Sequence, residues 1–476
     1  MAILLFACLS LPSGAQAAEW FVATTGSDSS GTGSAPQPFR TLAHVLEPAN
    51  GLLAPGDIIT VRGPSGANLY NECEVRLRMP LTLRSPAGER AHIHCDTNNV
   101  DTVTVQIDPD ASGSVLSNLE ISGGYYYAIF LQTDWDSSGN PSGTGASNVL
   151  IEDSEIHDSG RDAIKITPQC NDVTLRRLHI HHSGRRYPPG TPAENMNAEG
   201  IDNVNGSRMR VEDSHIHDIA TTGLYFKGGA TDVLVQRNRI ERTGAAGILV
   251  GFDTSPEFFD TAINPSYYEA IRGVVRNNIV IDSAGAGIGL YAAQDALIAH
   301  NSLLRTATAY HAALYFGVTL QDYAPEAGRP PSVNPRLLNN VVQQNGGSCF
   351  GIRWADEIEP GGLYALTGSP GSDYNRFDNT LGACEYFDTR PGSGIEAGAN
   401  FAQWQAAENT DAHSLETLVA LEPDGHLAAG SVAIEAGLAL ADVVDDIDRQ
   451  ARGMAVDIGA DERDAVGLFS NGFEGL

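Results

Sequence analysis

Only two lysines occur among the 476 residues, Lys165 and Lys227, beside twenty-seven arginines. A primary amine can be tuned to lose its proton near neutral pH, whereas a guanidinium effectively stays charged, so retaining an amine at two places hints at proton chemistry. Both amines fall in one stretch, which reads RDAIKI at 161–166, EGIDNV at 199–204 and TGLYFK at 222–227. It also supplies Asp162, Glu199, Asp202 and Tyr225. An amine beside a carboxylate suits abstraction of an activated proton with stabilisation of the charge that develops. Two lysines that merely make salt bridges on a stacked sheet are the plain alternative.

What brings these residues together is a repeat. From about residue 115, Ile121, Ile156, Ile180, Ile216, Ile240, Val280, Leu303 and Val342 recur at the same place in successive units, as in SEIHDSG, LHIHHSG and SHIHDIA. Their spacings are 35, 24, 36, 24, 40, 23 and 39, a unit of 24 with insertions in every other coil. The insertions (DWDSSGNPSGT, RRYPPGTPAENM, and stretches around TSPEFFDTAINPSYYEAI and TLQDYAPEAGRPP) are rich in Pro, Gly, Ser and Asn, as loops are. Within each unit a period-two apolar run is followed by a turn and a second strand, AIKI, GIDN, GLYF, GILV, GIGL or ALYF. Helical periodicity is absent there, so the economical reading is a stack of short parallel strands that bury their apolar faces against one another. Asn238, Asn278, Asn301 and Asn340 each fall two residues before the anchor, the place for a stacked amide ladder.

Aligning the strands predicts an inward column of Ile164, Ile201, Leu224, Ile248 and Ile288. The outward column is then Lys165, Asp202, Tyr225, Leu249 and Gly289, and two residues on Thr167, Val204, Lys227, Gly251 and Tyr291 form another. This register puts Asp202 one coil from Lys165 and one coil from Tyr225 and Lys227, with both amines bordering a shallow groove. The insertion before Asp202 adds Arg185, Arg186 and Glu194, and the one after Asp253 adds Glu257, Asp260, Tyr267 and Tyr268. Arginine, tyrosine and carboxylate along one side of a solenoid suit a sugar polymer.

The ends and the composition set the context. An apolar run, ILLFACLSL, followed by Ala15-Gln16-Ala17, reads as an export leader over 1–17. The remaining organisation reads as an N-terminal cap and first coils over 18–114, a central coil region over 115–355, C-terminal coils and cap over 356–463 and a tail over 464–476. In PFRTLAHVLEP, Phe39, Leu42 and Leu46 share a helical face, which predicts a short capping helix. No other stretch approaches the roughly twenty apolar residues of a membrane span, so the mature chain is expected outside the cytoplasm: secreted, periplasmic or at the cell surface. In that compartment Cys73 pairs with Cys95 and Cys349 with Cys384, leaving Cys170 as a buried thiol. Net charge is 29 minus 59, or −30, which argues against nucleic acid or an anionic membrane as partner. The charge is uneven, −12 over 401–476 but +2 over 161–250.

The repeat of about two dozen residues with an Asn ladder, FVATTGSDSSGTGSAPQPFRTL near the start and SVAIEAG with DIDRQARGMAVDIGADE near the end together resemble the right-handed parallel β-helix proteins of the pectate-lyase-like superfamily, a group of secreted bacterial proteins. The resemblance implies an all-β, single-stranded, right-handed parallel β-helix with a short N-terminal capping helix and long inserted loops. For activity it implies a polysaccharide lyase that cleaves a uronate-containing polymer by β-elimination. Lys227 or Lys165 would be the base, and Asp202 with Glu199 or Asp162 would hold calcium. Arg161 or Arg185 would meet the uronate carboxylate, with Arg186, Tyr267 and Tyr268 lining the groove. No tight run of aspartates matches a calcium site of that superfamily.

Two other readings stay open. Asp162, Asp202 and Asp253 on nearby coils leave room for a glycoside hydrolase with paired carboxylates, and a coil displaying loops also serves as a non-catalytic glycan-binding or adhesive surface. His157, His181 and His217 follow the anchor in three successive coils, beside Asp158, His182 and Asp218. Three histidines suggest zinc, but ligands must converge on a point and a ladder does not. The expectation is therefore an outward ladder bonded to its own carboxylates.

Overall fold

Short strands joined by tight corners account for the shape. At corners that follow three-residue strands, Asp153, Asp158, Asp213 and Asn277 adopt the left-handed conformation, which Asn and Asp tolerate better than other non-glycine residues. The computed structural model describes residues 17–63, 69–319, 329–355 and 362–463. The expected leader, apart from its last residue, and the 464–476 tail lie outside the described residues, as does much of the insertion around TLQDYAPEAGRPP.

Three long parallel sheets, of 12, 11 and 12 strands, run the length of the molecule, and successive coils add one strand to each. The 11-stranded sheet contains Ile164–Ile166, Ile201–Val204 and Leu224–Lys227, and is called the lysine sheet below. One 12-stranded sheet contains Glu155–His157, His179–His181 and His215–Ile219, and is called the histidine sheet. The anchor column runs unbroken through the latter, Ile121 to Ile156, Ile180, Ile216, Ile240, Val280, Leu303 and Val342. The insertions leave the stack without disturbing its register. DWDSSGNPSGT, for instance, forms an antiparallel hairpin of Thr133–Trp135 with Pro141–Gly145.

The interior between the sheets is a continuous apolar core of Ile, Val and Leu. Its polar intrusion at Asn203 is satisfied: the side-chain amide donates to the Gly206 carbonyl, and its oxygen accepts the Gly206 amide, both at 2.8 Å. The amide ladder is present and fully buried. Asn238 donates to Asn278, Asn278 to Asn301 and Asn301 to Asn340, each at 3.0 Å, and Asn340 continues to Asn375 at 3.1 Å. Both disulfides form as paired above, and Cys170 is a buried free thiol.

The N-terminal helix, Leu42–Leu46, is capped by the Thr41 hydroxyl and buries Leu42, Val45 and Leu46. Phe39 lies before it in extended chain, bridged to Val22. At the other end Phe401–Glu408 is a second helix, started by a capping box of Asn400 and Gln403. It closes the core by packing Trp404 onto Phe350 and Tyr386. The last sheet strand is Leu415–Glu416. Residues 418–463 then run back along the flank, where Arg449 reaches Asp213 at 2.8 Å and the Asn277 amide donates to the Asp445 carbonyl at 2.8 Å. No described helix is long and apolar enough to cross a membrane.

Candidate functional site

Lys165 is the middle residue of Ile164–Ile166, between two fully buried isoleucines, so strand alternation sends its side chain outward. Lys165 pairs with Asp202, Asp202 with Tyr225, Tyr225 with Leu249 and Leu249 with Gly289, while Val204 pairs with Lys227. The register is the one read from the sequence. The open groove is not, because the outward column is covered. Asp202 is fully buried, Tyr225 and Leu249 are buried, and the Lys165 side chain is 15% exposed. Over later coils the cover is apolar, a cluster of Tyr225, Leu249, Tyr291 and Tyr315 with Phe387 against it. The rings lie flat where a neighbouring coil offers glycine. A Cβ at Gly317 would fall 2.0 Å from the Tyr291 ring, and one at Gly351 would fall 2.3 Å from the Phe387 ring.

At the polar end of the column three buried carboxylates meet one ammonium. Asp162, Glu199 and Asp202 each offer an oxygen within 4.8 Å of the others. Asp162 Oδ1 accepts the Glu199 amide at 3.1 Å, and Glu199 Oε1 accepts the Thr221 hydroxyl at 2.9 Å. Asp162 Oδ2, Glu199 Oε2 and Asp202 Oδ1 are buried without a hydrogen-bond donor. Burial drives the Asp162 carboxyl well above the usual range, and the charges of Glu199 and Asp202 add to the effect. Burial, then the charge of Asp202, raises Glu199 as well. Asp202 goes the other way: burial opposes its ionisation, but Lys165 and Lys227 outweigh that and hold it below the usual range.

The Lys165 ammonium contacts Asp202 Oδ2 directly. Burial alone would favour the neutral amine, yet the charge of Asp202 outweighs it and raises the amine above its ordinary range. The ion pair with Asp202 favours the charged amine at Lys165. Lys227 donates instead to a neutral group, the Asp253 carbonyl, at 2.8 Å. Its amine stands 4.5 Å from the Tyr225 ring centroid and 5.5 Å from that of Phe252, which is 38% exposed. Tyr225 is the in-register neighbour of Asp202, and the charges of both Lys165 and Lys227 act on that carboxylate.

Residues 104–271 match the family described as the right handed beta helix region. The sequence matches no curated protein. Among solved structures, the pectate lyase Pel9A shares 14% identity, with 95% of this chain and 98% of that one covered at a TM-score of 0.51. The chain is a right-handed parallel β-helix. Lower similarity is found with the alginate lyase from Paenibacillus sp. str. FPU-7 (17% identity, 65% and 95% covered, TM-score 0.44) and with PfbA, a surface adhesin of Streptococcus pneumoniae (11%, 71% and 79%, TM-score 0.41).

The other expected groove residues divide between three places on the β-helix. Arg161 stays with the lysines: its guanidinium lies about 6 Å from the Tyr126 and Tyr127 rings (5.9 and 6.0 Å). Arg186 joins it, 4.4 Å from the Tyr125 ring centroid and 5.2 Å from that of Tyr187. Arg185 does not, because it reaches around the corner to Asp158, at 2.6 Å, beside His157. Tyr267 packs on Phe259 and under Arg329, and Tyr268 is tied by its backbone to Asn264, so both belong to the loop after Asp253. Sequence reasoning missed the run Tyr125, Tyr126 and Tyr127. Tyr127 packs at 5.1 Å on Phe130, the in-register neighbour of Lys165 in the preceding coil. Burial pushes its phenol up to about 12. The signal was there in GGYYYAIF, one coil before RDAIKI.

The hairpin and the loop after Asp253 enclose a cleft of about 400 Å³, lined by Pro141, Gln169, Asn205, Glu257, Phe258 and Asp260. Phe258, one of these lining residues, meets Trp135 edge to face at 6.0 Å. A larger cavity of about 590 Å³ lies far along the stack near Tyr364, where its acids Asp388 and Glu408 are both paired with Arg390. For calcium, the three donor-free carboxylate oxygens are the hard ligands that ion prefers, and Asp162, Glu199 and Asp202 would hold it.

Proposed function

We propose that the protein is an exported enzyme that binds a uronate-containing polysaccharide and cleaves it by β-elimination. The observation that carries this reading is the pair of amines flanking Asp202, the chain's only lysines, beside Arg161, Arg186 and the tyrosine run, in a protein of net charge −30. A locally cationic, aromatic rim on an acidic surface recognises a polymer that is both anionic and ring-shaped. Lys165, fixed as an ammonium by Asp202, and Arg161 neutralise the uronate carboxylate as its α-carbon loses a proton. Lys227 takes that proton. Tyr127, whose phenol is held protonated, donates to the departing sugar oxygen. Asp202 and Tyr225 orient the amines from below the surface.

A second reading is favoured by one observation: Asp162 and Glu199 are shifted up while the adjoining Asp202 is shifted down, the separation that assigns an acid and a base to a glycoside hydrolase. Burial of all three sets it second, because a general acid must reach the glycosidic oxygen. The test is incubation with pectate, alginate and glycosaminoglycans, with and without EDTA, following both the absorbance of unsaturated products and the appearance of reducing ends. Absorbance with reducing ends supports elimination. Reducing ends alone support hydrolysis, and silence on every polymer leaves a glycan-binding surface.

A further inference from the structure

The outer face of the histidine sheet, a different face from that of the lysines, holds reactive side chains that the proposed reaction does not use. His157, His181 and His217 are in register on three coils, with rings stacked at 5.0 and 5.1 Å and planes within 12° of parallel. A ladder of this kind cannot converge on one ion. The neighbouring outward column changes that, because the same strands carry Glu155, His179 and His215 two residues earlier. His179 leans diagonally across to the next coil, where its Nε2 lies 2.7 Å from Nε2 of His217. With His215 the three rings present nitrogens that all lie within 4.8 Å of one another.

Each of these imidazoles also has a carboxylate behind it. His217 Nδ1 lies 2.6 Å from Asp218 Oδ2, so the Nδ1–H donates to the carboxylate and the Nε2 lone pair is directed at His179. His215 Nε2 lies 3.2 Å from Glu241, and His179 Nδ1 lies 3.7 Å from Glu155. A carboxylate that fixes the tautomer and orientation of a histidine is the usual support of a metal-bound imidazole. Tetrahedral zinc with Zn–N bonds near 2.0–2.1 Å separates its nitrogens by about 3.3 Å, a spacing these rings reach by small rotations. The His179 and His215 side chains are 42% and 40% exposed, so an ion reaches them without opening the fold.

We propose that His179, His215 and His217 bind one divalent transition-metal ion of the zinc class, with Asp218 holding His217 in its ligating orientation. Imidazole donors select Zn²⁺, Cu²⁺ or Ni²⁺ over the hard cations that carboxylates prefer. The ion spans the adjacent strands His179–His181 and His215–Ile219 and keeps a fourth position open to solvent.

The experiment titrates Zn²⁺ into the untagged, chelator-treated full chain by calorimetry and records the visible spectrum of the Co²⁺ form. One equivalent is expected, with the intense bands of tetrahedral Co²⁺. His179→Ala and His217→Ala each abolish uptake with circular dichroism unchanged, and Asp218→Asn weakens binding about 10- to 100-fold. His94→Ala, on the same face but outside the three, leaves it unaltered. Failure of the wild-type chain to take up an equivalent, or uptake that survives both histidine substitutions, overturns the proposal. So does loss of binding in His181→Ala, which would move the ion to Glu155, His179 and His181. A weak, octahedral Co²⁺ spectrum also overturns it.

Discussion

Lys165 and Asp202 stand directly opposite one another on adjacent coils, the ammonium in contact with a carboxylate that is completely buried. Removing one partner of such a pair strands the other, at a cost of roughly 3–5 kcal/mol. Lys165→Met is therefore expected to lower stability to urea by about that amount, because Asp202 remains among Asp162 and Glu199 with its closest cation gone. Lys165→Met combined with Asp202→Asn recovers most of the loss. Equal destabilisation in the single and double variants would show that the pair is not coupled.

Activity separates the two amines. Lys227→Arg keeps a cation over the Tyr225 ring but replaces the proposed base by a guanidinium, so turnover on a cleaved uronate polymer falls by about 10²- to 10⁴-fold, the range for loss of a general base. Lys165→Arg keeps the charge that the site uses and loses far less. Steady-state rates of unsaturated-product formation, with thermal melts to confirm folding, provide the measurement. Full rate in Lys227→Arg would remove the amine from the mechanism.

The sequence made the register of this fold legible because insertions enter between strands and leave the count within each strand untouched. The anchor from Ile121 to Val342, the pairing of Lys165 with Asp202 and of Val204 with Lys227, and four rungs of the amide ladder all follow from that count. Burial of the outward column did not follow. Alternation tells which side of a sheet a residue occupies, whereas the covering of that side depends on rings such as Tyr291 and Phe387 lying across glycines of adjacent coils. The diagonal approach of His179 to His217 was hidden for a similar reason: it joins two columns that a strand alignment keeps apart. Arg185 read as a groove residue because its loop precedes Asp202, yet the corner at Asp158 lay within its reach.

The amide ladder invites a stability test at its middle. Asn301 Oδ1 accepts from both the backbone and the side chain of Asn278, while its own amide donates to Asn340 and to the carbonyls of Val275 and Ala299. Asn301→Leu removes all of these and leaves several buried groups unpaired, each costing about 1–3 kcal/mol. The expected result is a loss of at least about 3 kcal/mol by urea unfolding, together with faster amide exchange in the flanking coils. A loss below about 1 kcal/mol would mean that the stack does not depend on its ladder.

The flanking segment 418–463 carries a pH-dependent clasp. His426 faces Asp448 at 3.3 Å and Asp424 at 3.1 Å, with the Leu427 amide donating to Asp461 next to it. The hydrogen bond to Asp448 is the largest influence, and against the opposing effect of burial it lifts the imidazole to about 9. The folded protein therefore holds this proton more tightly than the unfolded chain, whose histidine titrates near 6.5. By linkage, the stabilisation is fully present below about pH 6.5 and is lost as the pH rises through about 9. Melting temperatures recorded from pH 6 to pH 10 should fall over that window, and His426→Gln should flatten the fall without altering the histidine or lysine sheets. A variant that reproduces the wild-type slope would assign the alkaline loss to another group.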